Sequence, residues 1–277
     1  MRWLAGLVVA LLANGSFAQD IGTSRLGLES DTVIPPSEAA GTGAVIVLYA
    51  DKQAACSGML VTPSWVLTNA HCRAVKGDVV RLGNLNDPEA PVAEVAESFA
   101  HPRYERDKAD FDVRLLRLYT GLFPEAASGQ VWTWYARDLV RGSMRAFEDR
   151  HGEGVGVDIY AYGVRRDGAF TDFGVLRYGR MRIDDYRDRS FEVDSGSVFV
   201  QGGDSGAAVL FPAFSRPTVS DRYEILGVLA RACDNFLCNS AEAADAFSIQ
   251  PWFDQTIDWR HGPRVPAAMI VPVNGAG

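Results

Sequence analysis

Two copies of the tripeptide Asp-Ser-Gly lie close together, at residues 194–196 and 204–206, and this tripeptide can mark a catalytic serine. A serine needs a base to take its proton and amide N–H groups to hold the oxyanion that forms. Gly202 and Gly203 precede the second copy and let the backbone turn sharply, so that amides can point at one position. We therefore predict that Ser205 is the nucleophile and interpret Ser195 as loop scaffolding.

A histidine that could serve as the base ends the stretch CSGMLVTPSWVLTNAHCR, residues 56–73. His71 follows a run rich in Val, Leu and Trp, which indicates a buried strand. Histidine titrates near neutral pH and is an effective general base when its ring is held in place. The other three histidines, at positions 101, 151 and 261, lie in loop-like segments. We predict that His71 is the general base.

An acidic residue with a suitable position opens the next apolar segment. Asp112 precedes the alternating run VRLLRL, residues 113–118. A carboxylate at the edge of a buried strand can orient a histidine and stabilise its charged form. Asp110 is a near neighbour, which we interpret as part of a solvated loop. The position relative to the strand favours Asp112.

The elements that must position these residues are short apolar runs separated by glycine and proline. This pattern predicts an antiparallel all-β barrel or sandwich. The predicted strands lie at residues 44–50, 58–70 (split at Pro63), 78–83, 157–164, 197–200, 207–211 and 224–230. Residues 131–147 could form a helix or an irregular connection. Residues 248–259 predict a helix with Pro251 in its first turn.

His71, Asp112 and Ser205 occur in that order within TNAHC, DVRLLRL and GDSG, and together they resemble the trypsin/chymotrypsin-like serine endopeptidases of the exported bacterial type. The resemblance spans about residues 44–257. It implies two antiparallel six-stranded β-barrels with the active site in the cleft between them, and a short C-terminal helix. It also implies that His71 is base and then acid, that Asp112 orients it, that Ser205 attacks, and that the amides of Gly203 and Ser205 form the oxyanion hole.

Other hydrolase classes fit less well. An α/β-hydrolase places its serine before its acid and histidine, usually within Gly-x-Ser-x-Gly, and Ala207 breaks that motif at Ser205. A metal enzyme is not indicated, because no paired His, Asp or Glu residues have the spacing of a zinc site. We therefore expect no metal and no cofactor.

The sequence departs from the family in two respects that bear on activity. The activating N-terminus of the animal digestive members, which pairs with the acid before the nucleophile, is absent, so Asp204 needs another partner; Arg165 and Arg166 are candidates. Ala230 stands where the family commonly has a serine that supports the triad acid. A binding module on a protease fold, weakly active or inactive, is therefore the alternative to an active endopeptidase.

The sequence does not decide which residues form the specificity pocket. Counting back from Ser205 places Phe199 at the pocket floor, while Asp194 reaches it only through a longer loop. Asp245 aligns with the opposite wall, and Ala232 ends the segment that aligns with the substrate-pairing edge. That segment lacks the histidine typical of glutamyl endopeptidases, which argues against Glu before the cut.

Composition restricts the partners. A formal net charge of −8 and a pI near 5.1 argue against nucleic acid, whose phosphates require a basic face. We expect protein or peptide substrates and a monomer.

Residues 1–18 have the positive start, apolar stretch and small-residue cleavage site of a signal peptide, and their apolar stretch is too short to span a bilayer. We therefore expect a secreted or periplasmic protein with no stable membrane span after signal removal.

The four cysteines, Cys56, Cys72, Cys233 and Cys238, agree with export, because disulfides persist in oxidising compartments. Three pairings are possible, and we favour the pairs close in sequence, Cys56–Cys72 and Cys233–Cys238. The predicted organisation is a signal peptide (1–18), an N-terminal segment that could be a propeptide (19–40), a peptidase domain (41–260) whose two barrels meet near 130–150, and a C-terminal tail (261–277).

Overall fold

In the computed structural model, two closed barrels of six antiparallel strands follow one another along the chain, so the predicted fold class is confirmed. The structure describes residues 33–49, 55–123, 140, 142–163, 173–194, 200, 202–213, 222–232 and 240–257. The first barrel contains β1 (Ala44–Leu48), β2 (Ala55–Thr62), β3 (Trp65–Thr68), β4 (Val79–Leu82), β5 (Val92–Ala100) and β6 (Arg114–Leu118). The second contains β7 (Gly156–Ala161), β8 (Arg177–Tyr186), β9 (Ser190–Asp194), β10 (Ala208–Ala213), β11 (Arg222–Ala232) and β12 (Ser240–Asp245).

The strand order around each barrel repeats the same plan. The first barrel closes in the order β1-β2-β3-β6-β5-β4, and the second in the order β10-β11-β12-β9-β8-β7. Side chains alternate between inside and outside at the start of β5, where Ala93 and Val95 are buried and Val92 and Glu94 are exposed. Closure of each barrel leaves no unpaired sheet edge.

A single apolar cluster joins the two barrels. It contains Ile46 from the first barrel, Leu210 from the second, and Tyr162 from the segment after β7, all of them buried. The Tyr162 hydroxyl donates a hydrogen bond to the carbonyl of Ala44 at 3.1 Å. The barrels therefore pack as one body, and their facing ends can hold a common site.

The strand predictions were largely met, with exceptions that have a physical cause. The split at Pro63 is confirmed, since β2 ends at Thr62 and β3 begins at Trp65. The run 197–200 is only partly testable: residues 197–199 lie outside the described part, and Val200 is not in a strand. Strands β5, β8, β9 and β12 were missed. β12 has the sequence SAEAAD, whose alanines have little strand preference and are buried only by the barrel.

The closing helix begins earlier than predicted. Helix α3 (Ala246–Thr256) starts two residues before the predicted segment, because Asp245 is its N-cap and accepts the Ser248 N–H at 2.7 Å. Pro251 therefore lies in the interior of the helix and not in its first turn.

Two further helices flank the barrels. Helix α2 (Met144–His151) overlaps only the end of the predicted segment 131–147, and residues 131–139 and 141 lie outside the described residues. A one-turn helix α1 (Pro36–Ala39) precedes β1. Within the described residues, no helix has the length and apolarity needed to cross a membrane.

Candidate active site

His71 and Asp112 form a close pair at the end of the first barrel. The Nδ1 of His71 lies 2.6 Å from Asp112 Oδ2, and the His71 backbone N–H donates to Oδ1 at 2.9 Å. The Asp112 side chain is 3% exposed and that of His71 36% exposed. A buried carboxylate at Nδ1 favours the tautomer with its proton there, which leaves Nε2 free to accept a proton from a nucleophile.

The backbone around Asp112 is fixed by contacts that the sequence did not reveal. The buried Asn69 donates from Nδ2 to the Asp112 carbonyl at 2.6 Å. Phe111 has a φ of +57°, a left-handed conformation that is costly for an aromatic residue. Its ring stacks on His101 with centroids 4.6 Å apart, and this packing holds the conformation. Because Phe111 directly precedes Asp112, its conformation sets the direction of the carboxylate.

A disulfide attaches the histidine to the neighbouring strand. Cys56 of β2 and Cys72 are bonded, with their Cα atoms 6.3 Å apart, so this predicted pairing is confirmed. The sulfur atoms lie close enough to His71 for the three residues to resemble a metal-binding cluster. Both sulfurs are consumed by the disulfide, however, so the cluster offers no thiolate to a metal ion. Its role is to hold His71 in place. The predicted Cys233–Cys238 pair lies outside the described residues.

The loop that carries Ser205 turns sharply at two glycines. Gly203 has a φ of +94° and Gly206 a φ of +90°. A Cβ at Gly206 would overlap the carbonyl oxygen of Ser57 and the hydroxyl of Thr68. The loop therefore lies directly against the first barrel, and the Ser57 N–H donates to the Ser205 carbonyl at 2.8 Å.

These contacts connect the Ser205 loop to the segment that carries His71. Ser57 follows Cys56, and Cys56 is bonded to Cys72, the residue after His71. The backbone of Ser205 is thus tied, through Ser57 and the disulfide, to the segment of His71, whose ring pairs with Asp112. Within the described residues, the Ser205 hydroxyl makes no hydrogen bond to His71. In enzymes without bound substrate such bonds are often long and tighten in the complex.

The Ser57 hydroxyl links the two barrels at the predicted oxyanion hole. It donates to the Gly203 carbonyl at 2.8 Å and accepts the N–H of Tyr162 at 3.0 Å. Ser57 is fully buried. Its side chain therefore fixes the loop that contains Gly203. The sequence analysis missed this residue.

The acid before the nucleophile is buried and held by a backbone amide. Asp204 is 2% exposed, and its Oδ1 accepts the N–H of Gly163 at 2.8 Å. The carbonyl of the same Gly163 accepts a hydrogen bond from Arg177 Nη1 at 3.0 Å. Arg177 is itself 4% exposed. A buried cation and a buried carboxylate thus lie on either side of Gly163.

This arrangement was not foreseen. The candidate partners of Asp204 in the sequence, Arg165 and Arg166, lie outside the described residues. Arg177 begins β8 (Arg177–Tyr186), which also contains Arg180 and Arg182, and nothing in the sequence marks the first as the buried one.

The residues predicted for the specificity pocket that the structure describes lie at the ends of three different strands. Asp245 is the N-cap of α3; its Oδ2 is buried without a hydrogen bond among the described residues, and burial raises the pKa of this carboxyl. Asp194 ends β9, and Ala232 ends β11, where it is exposed. Phe199 lies outside the described residues. Their assignment to the pocket stays a prediction.

Ala230 lies at the site itself. It is 2% exposed and lines the same cavity as His71 and Asp112. The strand β11 has a bulge at this point, between Leu229 and Arg231. No hydroxyl is present at position 230 to support the carboxylate, as the sequence analysis had noted.

Comparison with known proteins agrees with this geometry. Residues 36–212 match the family model described as Trypsin. The chain is similar to the vitamin K-dependent protein C of Rattus norvegicus, with 42% identity over 78 residues. The corresponding proteins of Mus musculus and Oryctolagus cuniculus are 41% identical over 78 residues and 40% identical over 79 residues. These matches cover 26–27% of this chain and 17% of each relative.

Proposed function

From the premise that the chain belongs to the trypsin family of serine endopeptidases, we propose that it is an exported endopeptidase that cleaves peptide bonds through His71, Asp112 and Ser205. The observation that carries this proposal is the short contact between His71 Nδ1 and the buried Asp112, at the place where the Ser205 loop meets the first barrel. The family membership rests on a match to more than half of the chain.

Each residue has a defined role in the proposed reaction. His71 Nε2 takes the proton of the Ser205 hydroxyl as its oxygen attacks the scissile carbonyl, and Asp112 stabilises the imidazolium. The N–H groups of Gly203 and Ser205 hold the oxyanion of the tetrahedral intermediate. His71 then gives its proton to the leaving amine, and an acyl-enzyme remains on Ser205. Water, activated by the same histidine, hydrolyses the acyl-enzyme.

The buried network around Asp204 supports a nucleophile loop that is in place without a freed N-terminal amine. Gly163 holds the carboxylate through its N–H, while Ser57 holds the adjacent Gly203 carbonyl. These contacts come from residues in the body of the two barrels. Activation by the insertion of a new N-terminus is therefore not required by this geometry.

The start of the mature protein is constrained by residues that precede β1. Val33 pairs with Arg177 of β8, the Ile34 N–H donates to the Leu176 carbonyl at 3.0 Å, and Ala39 is fully buried. A cut after Ala40 would remove these contacts. We therefore propose that processing stops before Val33, either near Gln19, after the predicted signal peptide, or within residues 20–32.

Export is supported by the Cys56–Cys72 disulfide, because such bonds persist mainly in oxidising compartments. The signal peptide at residues 1–18 and the placement in the periplasm or outside the cell are part of the same proposal. N-terminal sequencing of the mature protein tests both the export signal and the processing limit.

The experiment that tests the activity is digestion of a denatured protein mixture. We expect the mature wild-type protein to produce new peptide ends, and the Ser205→Ala variant to produce none above background. Equal digestion by the two proteins would contradict the assignment of Ser205.

A protease-fold binding module is the second candidate, and Ala230 is the observation that favours it. The binding-module candidate predicts that the mature protein binds peptides without cleaving them. Peptide binding by the wild type, with every bound peptide recovered intact, would favour this candidate over the endopeptidase.

A further inference from the structure

A cavity of about 450 Å³ opens directly beside the His71–Asp112 pair, which forms part of its wall. Of the residues predicted for the specificity pocket, the three that the structure describes, Asp194, Asp245 and Ala232, do not line it. Because the proposed base forms part of its wall, the cavity is open to a side chain of a peptide that is bound for attack by Ser205.

The cavity carries an excess of basic residues although the chain as a whole is acidic. Four of its lining residues are cations, namely Arg73, Arg106, Lys108 and Arg231. The only carboxylates among its lining residues are Asp107 and the triad residue Asp112. The chain carries a formal net charge of −8, so this concentration of positive charge is a local feature.

Two of the four cations are already paired. Lys108 lies 2.5 Å from Glu105, and Arg231 lies 3.7 Å from Asp107. Arg73 and Arg106 make no ion pair with any described residue, and both are exposed. Among the described residues, neither of these two guanidinium groups at the cavity has a carboxylate partner.

The two guanidinium groups belong to residues that line the cavity together with Tyr104. Burial raises the pKa of the Tyr104 hydroxyl, and Asp112 and Asp107 add to this increase, whereas Arg73 and Arg106 oppose it. Both arginines are thus close enough to Tyr104 to act on it electrostatically. The carboxylates outweigh the arginines at the Tyr104 hydroxyl, so a bound anion would have to contact the guanidinium groups directly.

The backbone at this cavity adopts conformations that are unfavourable for ordinary residues. Arg73 has a φ of +54° and Asp107 a φ of +68°. Such conformations cost about 1–3 kcal/mol each and persist only where the surrounding structure imposes them. Arg73 follows the disulfide-bonded Cys72, and its N–H donates to the Ala70 carbonyl at 3.0 Å. The fold therefore holds Arg73 beside the catalytic histidine.

We propose that this cavity is a subsite for an acidic side chain of the substrate, and that Arg73 and Arg106 bind its carboxylate. The proposal rests on the proposed endopeptidase function and deepens it by naming a substrate class: peptides with Glu or Asp at one position near the cleaved bond. Arginine suits this role because its planar fork pairs with both oxygens of a carboxylate.

The test measures binding separately from catalysis. Fluorescein-labelled octapeptide pools, random in neutral residues except for Glu at one fixed position, are titrated against the full-length mature Ser205→Ala protein and read by anisotropy. Matched pools carry Gln at the same position, and the position is moved along the peptide. We expect Glu pools to bind about 5–10-fold more tightly than Gln pools at one position, with the preference reduced in high salt.

Substitutions test whether the two arginines cause the preference for Glu pools. The double change Arg73→Gln and Arg106→Gln should remove it, whereas Arg182→Gln, at an exposed arginine on the second barrel, should retain it. Equal binding of Glu and Gln pools, no binding of either, or a preference that survives the double change would overturn the proposal.

A fluorophosphonate probe applied to the wild type separates this proposal from the catalytic one. If the probe labels the wild type but the Ser205→Ala protein shows no preference for Glu pools, only the subsite is refuted. A Glu preference in the binding assay with an unlabelled wild type would support the subsite and contradict the endopeptidase.

Discussion

Replacing Ser57 with alanine tests the idea that its hydroxyl holds the oxyanion loop against the first barrel. The change leaves the Tyr162 N–H, which is buried, and the Gly203 carbonyl, which is partly buried, without this partner. A buried unsatisfied group costs roughly 1–3 kcal/mol, and a hydrogen bond in a wetter setting contributes about 0.5–1.5 kcal/mol. We therefore expect the free energy of unfolding to fall by about 2–4 kcal/mol.

The loss should appear in two assays. A domain of this size loses about 2–4 °C of Tm per kcal/mol, so Tm should fall by about 4–16 °C. Removal of a complete oxyanion donor costs about 2.7–4 kcal/mol of transition-state stabilisation. A loosened Gly203 should cost less, and we expect kcat to fall about 10-fold, which corresponds to about 1.4 kcal/mol.

A matched serine provides the control. Ser64 lies in the turn between β2 and β3, and its hydroxyl makes no hydrogen bond within the described residues. Ser64→Ala should leave both Tm and kcat near their wild-type values. If Ser57→Ala behaves like Ser64→Ala in both assays, the hydroxyl does not hold the loop and the reasoning is wrong.

Three further predictions concern buried polar groups. Asp112→Asn should lower kcat by about 10³–10⁴-fold with little change in Tm, because an amide cannot hold His71 in the required tautomer; a loss under 10-fold in a peptide-cleavage assay would contradict the triad. Arg177→Met should lower the free energy of unfolding by about 2–4 kcal/mol in urea titrations, because the Gly163 carbonyl loses a buried donor; the exposed Arg182→Met serves as control, and equal stability of the two variants would refute the role. Burial, with a smaller effect of Arg103, lowers the pKa of His101 to about 4. The unfolded chain then binds this proton first, near pH 6.5, so the folded state loses stability as the pH falls from 6.5 towards 4. His101→Gln should show a smaller fall in Tm between pH 7 and pH 5 than wild type, and an identical fall would contradict this assignment.

The fold could be predicted from the sequence because its signals are local. The runs around His71 and Asp112 are apolar strands bounded by turn residues, and each motif lies at a strand end. Strands whose burial depends on the barrel, such as β12 with its alanines, gave no such signal. The start of the closing helix was misplaced because Pro251 was assigned to the first helical turn, whereas Asp245 is the N-cap.

The supporting residues of the site could not be predicted, because their importance arises only from tertiary contacts. Ser57 is one polar residue in an apolar strand, and only the approach of Gly203 and Tyr162 gives its hydroxyl two partners. Arg177 is one of three arginines in a single strand, and only the fold buries it.

The basic cavity could not be predicted for the same reason. Arg73 and Arg106 are 33 positions apart in sequence and look like ordinary surface charges. The disulfide-linked histidine segment and the loop before Asp112 place both beside Tyr104. Charge that is unremarkable along the chain thus becomes concentrated in one cavity next to the proposed base.

The central claim, that Ser205 is a nucleophile activated by His71, is tested most directly by a fluorophosphonate probe followed by mass spectrometry of the labelled protein. The mature wild type should carry one adduct on the peptide that contains Ser205. His71→Ala should label far more slowly, and Ser205→Ala should not label. An unlabelled wild type, or equal labelling of wild type and Ser205→Ala, would contradict the account.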